Sequence, residues 1–352
     1  MHRDFVRYFV DPLTKAPLSL EVVREEPGNS SCGGNASDSS GSRTSASGGD
    51  GNRNVLEGWL VSPTSRYPIV NGIPRFVDHR AAAYAASFGY QWTRWPSVQF
   101  ESRNVGKPME GYTRRMWETI TGMNGTLTSD RVVLDIGCGP GRFIDVARMK
   151  GAKVIGLDYS LAVEAAAAQF AHDPNVCICQ ADALNLPIAT GSIDGAFSIG
   201  VLHHTPQPSR GVEEAARVVA PGGWLAIAVY GKGGYYDARM VNAWRRTFGR
   251  LWGRCGHYPP LLYTYGIVYL HRLLRPLPFV HRPVDVLFPS KDLPDLTWSL
   301  VDTFDSVTPS YQSAHECHEV FAWLKQAGLC DIEPTRWGPT SFRGVKPLHA
   351  TQ

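Results

Sequence analysis

The 352-residue chain holds no run approaching about 18 uninterrupted apolar residues, which excludes a helix able to span a bilayer. Its first residues, Met1-His2-Arg3-Asp4-Phe5, lack the apolar stretch of a secretory signal. Cysteine is sparse as well. The seven cysteines (Cys32, Cys138, Cys177, Cys179, Cys255, Cys317 and Cys330) are odd in number and contain no CxxC pair. That usage argues against a disulfide scaffold and a zinc ribbon, and predicts a soluble chain of a reducing, cytoplasmic compartment. A dominant charge sign is also missing. With 35 Lys and Arg against 32 Asp and Glu, the net +3 by itself implies no nucleic-acid partner. Apolar material, by contrast, is plentiful. At 43% hydrophobic and 19% charged residues the chain can bury a substantial core, which excludes wholesale disorder. Its length suits about two average domains, or one large domain with additions.

One stretch departs from this composition. Residues 28–54 contain eight Ser and seven Gly and no aliphatic residue larger than Ala. Such a segment cannot bury enough apolar area to offset its ordering entropy, so it reads as a disordered loop. It interrupts two segments with strand and turn signals. The first runs from Tyr8-Phe9-Val10-Asp11-Pro12 to Leu20-Glu21-Val22-Val23; the second is Gly58-Trp59-Leu60-Val61, then Tyr67-Pro68-Ile69-Val70-Asn71-Gly72-Ile73-Pro74. Together they resemble the small zinc-ribbon-like family that activates tRNA and protein methyltransferases. Many of its members carry cysteines where Asp11, Thr14, Ser62 and Ser65 stand here. Hydroxyls and a single carboxylate are poor zinc ligands, so the resemblance implies a metal-free version.

From residue 130 onward the pattern becomes regular. Apolar runs begin at Arg131-Val132-Val133-Leu134, Lys153-Val154-Ile155, Val176-Cys177-Ile178, Gly195-Ala196-Phe197-Ser198-Ile199 and Trp224-Leu225-Ala226-Ile227, with helical patterns between them. Near-continuous apolar strands alternating with helices predict a parallel sheet covered on both faces. The first strand runs into Asp135-Ile136-Gly137-Cys138-Gly139-Pro140-Gly141. Its third glycine comes one residue too early for the dinucleotide fingerprint, which points away from NAD and toward a smaller nucleoside cofactor. Asp158 ends the second strand, 23 residues after Asp135, and Asp182 follows the third. Gly200-Val201-Leu202-His203-His204 ends the fourth, and Pro221-Gly222-Gly223 turns into the fifth.

These ordered motifs resemble the class I S-adenosylmethionine-dependent methyltransferase family. The resemblance implies a doubly wound, mostly parallel seven-stranded α/β sheet of Rossmann-like type. It also implies S-adenosyl-L-methionine as cofactor, held by Asp135, Gly137, Cys138 and Gly139 around the methionine part, Asp158 at the ribose, and Tyr159 on the adenine. Asp182 and the Ala183 backbone would meet the exocyclic amine, and Gly200 would line the methyl-donor end. Related enzymes close a leading helix over the cofactor, which makes Gln91 and Trp92 candidates; aromatics at this spacing also suit a core. His203 and His204 are the candidate general bases, with a pocket-shaping role as the alternative. His315-Glu316-Cys317-His318-Glu319 superficially resembles a metal cluster but reads as the solvated start of an amphipathic helix, so no metal is expected.

Residues 231–289 add something the basic fold does not need. One Lys and eight Arg stand against Asp237 and Asp285, a local charge of +7, with eleven interleaved aromatics. This insert reads as a substrate lid, with Tyr230, Arg245 and Arg246 as candidate acceptor contacts; a membrane surface or a nucleic-acid platform are the alternatives. The predicted organisation is a small metal-free β domain over 1–80, a helical lead-in over 81–124, a methyltransferase domain over 125–230 and 313–352, and a helical, basic and aromatic insert over 231–312. The expected function is methyl transfer to a small or lipid-like metabolite at oxygen, nitrogen or carbon. The alternatives are tRNA methylation and an inactive cofactor-binding scaffold.

Overall fold

A computed structural model describes residues 1–27, 53–77, 85–128 and 130–348, without the side chains of 252 and 253. Residues 28–52 of the predicted loop lie outside the described residues. Arg53 and Asn54, assigned to that loop from composition, instead begin a strand.

The main sheet has seven strands: β5 (Val132–Ile136), β6 (Lys153–Asp158), β7 (Val176–Gln180), β8 (Ile193–Ile199), β9 (Val219–Ala228), β10 (Cys330–Pro334) and β11 (Ser341–Val345). Their spatial order is β10-β11-β9-β8-β5-β6-β7. The five strands from β5 to β9 run parallel, whereas β11 is antiparallel to both β9 and β10. This is the doubly wound α/β fold that the sequence pattern predicts. Chain order reverses at β5, which lies between β6 and β8, and in such sheets the crevice at this reversal receives the ligand.

Alternation along the strands divides the core. On β5, Val132, Leu134 and Ile136 face one cluster and Val133 the other. The second cluster is covered by α2 (Tyr112–Thr121), α3 (Arg142–Met149) and α4 (Ala162–Gln169), with Trp117, Ile120, Phe143 and Ile144 buried in it. The predicted lead-in is only partly helical. It contributes α1 (Ala86–Arg94) and α2, and the chain between them has one short 3₁₀ turn at Glu101–Arg103.

The N-terminal segments form an antiparallel sheet of β1 (Ser19–Pro27), β2 (Arg53–Val61), β3 (Arg66–Val70) and β4 (Ile73–Pro74). Phe5, Phe9, Leu60 and Ile69 join the same buried cluster as Leu134, Ile155 and Leu225. The small sheet is therefore packed into the main core. Glu214 of α5 (Pro208–Val218) reinforces the junction: it is 2% exposed and accepts from Lys15 Nζ at 3.0 Å, Arg217 Nη2 at 2.9 Å and Leu186 N at 3.0 Å. Depriving a buried carboxylate of such partners costs about 3–5 kcal/mol.

Within the small sheet, the turns bearing Asp11 and Ser62 face each other. Ser62 Oγ donates to Asp11 Oδ2 at 2.7 Å, while Leu13 N and Thr14 N donate to Asp11 Oδ1 at 2.9 and 3.0 Å. Ser65 N donates to Ser62 Oγ at 3.0 Å. Hydrogen bonds, centred on one buried carboxylate, join the two turns. Burial alone would raise the Asp11 pKa, but the bonds from Ser62, Thr14, Leu13 and Tyr67 outweigh it and lower the value to about 2.

A carboxyl that is more acidic folded than unfolded stabilises the fold above its unfolded pKa of about 4, and that contribution disappears as pH falls through about 2. Asp11→Asn is expected to lose about 1–2 kcal/mol at neutral pH, discounting for nearby water, and the gap to the parent chain should shrink on acidification. Urea unfolding of both proteins across that range checks this. A gap that is the same at every pH would place the ionisation elsewhere.

Candidate active site

The loop leaving β5 makes the floor of the site. Gly137 and Gly139 have φ of 82° and 54°, a region that side-chain-bearing residues rarely adopt. Gly137 N and Cys138 N both donate to Leu157 O at 2.8 Å, which folds the loop over the end of β6. Asp158 completes the attachment. Its Oδ2 accepts from Gly139 N at 2.9 Å, and its Oδ1 accepts from Ser160 N and Oγ at 2.8 and 2.7 Å. Burial raises the Asp158 pKa, and these bonds pull it partly back. Asp135 lies beneath the loop at 1% exposure, with Oδ2 unpartnered; burial first, and then Asp158, holds its pKa well above the usual carboxylate range.

A cavity of about 420 Å³ opens above this floor. Of the sequence-predicted cofactor residues, Gly137, Cys138, Gly139, Asp158, Tyr159, Asp182, Ala183, Gly200, Gln91 and Trp92 line it, whereas Asp135 lies behind the loop. Trp92 of α1 covers the glycine turn so closely that a Cβ on Gly139 would sit 3.2 Å from the indole nitrogen. At Gly200, with φ 77°, a Cβ would meet no atom within 4 Å, so this strand end leaves open space. Asp182 Oδ1 accepts from Leu184 N at 2.9 Å, and burial raises its pKa.

The two histidines differ. His204 lines the cavity and His203 does not. The His204 Nδ1 lies 2.9 Å from Tyr311 O. That carbonyl can only accept, so the proton is on Nδ1 and the Nε2 lone pair is available. Burial, countered by this bond, lowers the His204 pKa to about 4. His203 is buried behind it, packs against the Tyr230 ring at 3.7 Å between ring centroids and a tilt of 30°, and accepts from Tyr230 N at 3.3 Å. Its Nε2 is orphaned, and burial drives its pKa well below the usual value.

The insert supplies the opposite wall through a part that the sequence reading did not single out. Its helices are α6 (Arg239–Cys255), α7 (Tyr258–Leu274), α8 (Pro278–Leu287) and α9 (Leu296–Val307). Trp298, Asp302 and Asp305 of α9, together with Lys291, line the cavity. The charge facing the site is thus mixed, and the basic excess of 231–289 is mostly directed elsewhere. Of the predicted acceptor contacts, only Tyr230 reaches the cavity. Arg245 donates to Asn242 Oδ1 at 2.5 Å outside the lining, and Arg246 is exposed.

Asp302 accepts from Gln99 Nε2 at 2.9 Å, and Gln99 Oε1 accepts from Arg142 Nη1 at 2.8 Å. Asp305 receives the Tyr230 hydroxyl at 3.3 Å. The Gln91 amide lies close enough to lower the Asp305 pKa but outside strict hydrogen-bond geometry, which leaves both of its polar atoms orphaned. Burial first, and then the charge of Asp302, raises Asp305 to about 7 against the opposing pull of Gln91, Tyr230 and Arg142. Lys291 is 3.8 Å from the centre of the Tyr235 ring and has a pKa lowered by burial. One signal for this wall was present in the sequence: Asp302 and Asp305 are the only charged residues of their helix, spaced to share a face.

Residues 134–227 match the family model described as a methyltransferase domain. Among curated relatives, an uncharacterized methyltransferase of Mycobacteroides abscessus is 34% identical over 149 residues, 40% of this chain and 57% of the relative. The tRNA (carboxymethyluridine(34)-5-O)-methyltransferase of Arabidopsis thaliana is 32% identical over 131 residues, 36% of this chain and 31% of that one. The 27-O-demethylrifamycin SV methyltransferase of Amycolatopsis mediterranei is 35% identical over 124 residues, 34% and 45% of the two chains. The chain thus spans about half the length of the first of these relatives. The matched segment is a methyltransferase domain with S-adenosylmethionine as its cofactor. The cavity suits that group, because carboxylates end two neighbouring strands and backbone without side chains borders the open space.

Asp158→Ala releases the Gly139 backbone and removes a carboxylate from the cavity wall. S-Adenosylmethionine affinity is expected to fall by about 1.5–3 kcal/mol, the worth of hydrogen bonds to a charged group. Calorimetry on the folded variant reads this out; undiminished affinity would remove Asp158 from the binding site.

Proposed function

We propose that this methyltransferase domain transfers a methyl group from S-adenosylmethionine to a small or lipid-like acceptor enclosed between the glycine loop and α9. The observation that carries this reading is the cavity wall itself. Loop residues Gly137 to Pro140 and insert residues Lys291, Trp298, Asp302 and Asp305 border the same space of about 420 Å³, which suits a small molecule or one end of a lipid better than a folded RNA.

When bound, the cofactor supplies an electrophilic methyl group on a sulfonium. In this reading Asp158 accepts hydrogen bonds from the ribose, Tyr159 packs on the adenine, and Asp182 with the Ala183 backbone meets the exocyclic amine. Gly137 and Gly139 leave room for the methionine part, Gly200 for the donor end, and Trp92 covers it. Alignment of the acceptor supplies most of the acceleration, because bringing two reactants into line replaces a bimolecular encounter. Tyr230, Tyr236 and Trp298 offer ring faces for that purpose.

An acceptor hydroxyl or ammonium must also lose a proton. Asp305 is the better matched base: a carboxyl with a pKa of about 7 is deprotonated for much of the time at neutral pH yet remains basic, whereas His204, at about 4, is a weak base. The Tyr230 hydroxyl, donating to Asp305 Oδ2, aims the carboxylate into the cavity. Groups around it that tune the titration are Asp302 on its own helix, Arg142, Gln91 and Tyr230. His204 then shapes the wall, its ring edge-on to Phe88. The tRNA reading is favoured by one observation, the sequence identity to the plant tRNA enzyme.

Incubation with methyl-labelled cofactor and fractionated cell extract separates the readings. Label in the small-molecule or lipid fraction supports the proposal, and label confined to RNA overturns it. With an acceptor in hand, kcat/KM should rise with pH, reach half its maximum near pH 7 and level off above it. Asp305→Asn is expected to reduce kcat by about 10²–10³-fold and remove that limb, while leaving cofactor affinity nearly unchanged. A reduction and loss of the limb in His204→Ala instead would assign the base to the histidine.

A further inference from the structure

We propose that the outer face of the helical insert docks on an anionic membrane surface. The fold leaves an apolar stripe uncovered there. Along α7, Tyr258, Leu262, Tyr269 and Leu273 recur at helical spacing on one exposed face, with Leu262 77% and Leu273 73% exposed. On α8, Phe279 and Val286 lie two turns apart, and Phe279 is 93% exposed. Soluble surfaces rarely expose so many large apolar side chains together. The two helices are tied. His271, buried on α7, meets His281 Nε2 through Nδ1 at 3.1 Å, and its Nε2 donates to Phe288 O at 2.9 Å. Both stripes therefore belong to one hairpin.

The adjoining helix α6 brings the charge. Arg239, Arg246, Arg250 and Arg254 recur along its exposed side, and the helix contains no acid. Trp244 and Phe248 of α6 pack against Tyr263 of α7 at ring centroid distances of 4.8 and 5.3 Å, so the arginine helix is packed directly on the apolar hairpin. An apolar groove of about 370 Å³ lies at this junction, bordered by Trp244, Phe248, Leu262 and Phe288. Segment 231–289 has a charge of +7.

Arginines beside exposed Leu, Phe and Tyr are what an interfacial helix presents to anionic headgroups and acyl chains. RNA supplies phosphates but only flat bases, against which Leu262, Leu273 and Val286 gain little. A second protein surface covers the apolar stripe without accounting for the arginines. No helix among the described residues is long and apolar enough to cross a bilayer, so the contact is peripheral. This inference stands apart from the identity of the acceptor, since none of the stripe residues lines the catalytic cavity.

The test is sedimentation of the full chain with vesicles of phosphatidylcholine alone or mixed with phosphatidylglycerol, with S-adenosylmethionine affinity measured in parallel. Binding is expected with the mixed vesicles, at least tenfold weaker with neutral ones, and weakened by salt. Leu273→Ser with Phe279→Ser, and separately Arg250→Gln with Arg254→Gln, should each reduce vesicle binding about tenfold or more while cofactor affinity holds. Failure to bind the mixed vesicles, or binding that neither double variant changes, overturns the proposal. So does a stable dimer that the apolar variant dissolves, which would assign the face to a second copy. Retention of tRNA more tightly than vesicles, lost in the arginine variant, would assign it to RNA and likewise overturn it.

Discussion

The hydrogen bonds of one half-buried carboxylate hold the site in register. Asp158 reaches from the end of β6 to Gly139 N and back to Ser160, tying the loop after β5 to the neighbouring strand and to the turn that enters α4. Leu157 O, one residue earlier, receives Gly137 N and Cys138 N. The loop can follow this path because its glycines accept positive φ. Everything above depends on it. Trp92 rests on the loop, Gly200 borders the same space from the other side of β5, and α3 starts from its far end, carrying Arg142 toward the carboxylates of α9.

That last connection makes the wall chemically unusual. Arg142, Gln99 and Asp302 form a chain of hydrogen bonds, while Asp305, next to it, is left with a hydroxyl and a loosely placed amide. The two carboxyls share a helix face in a low-dielectric setting, where like charges favour keeping a proton on one of them. The insert thus has two dissimilar sides. Toward the sheet, α9 contributes acids and an indole; away from it, α6 to α8 expose arginines and aliphatics.

Beside β7, the small sheet illustrates a different economy. Two turns that face each other across Asp11 and Ser62 are joined by carboxylate, hydroxyl and backbone groups. The apolar side of the sheet extends the main core through Phe5, Phe9 and Leu60. Its stability is therefore shared with the larger domain and does not rest on the turns alone.

Much of this architecture was legible in the sequence. Short-range signals determined the parallel strands, their intervening helices, the glycine turn and the strand-end acids: apolar runs of strand length, helical periodicity, and residues that only certain backbone conformations accept. Those signals are local, so one chain suffices to read them. They failed where the outcome depended on distant contacts. Residues 95–111 look helical from their aromatics but are held as an irregular path, with Gln99 and Asn104 bonded to α9. His203 and His204 are adjacent in sequence, yet one is sealed against Tyr230 and the other faces the cavity. Arg245 and Arg246 are equivalent by composition, and neither lines the cavity. Only the tertiary structure decided that Asp302 and Asp305 stand opposite the glycine loop, because burial and electrostatic surroundings are set by segments far apart along the chain, and no local pattern encodes which of them will meet.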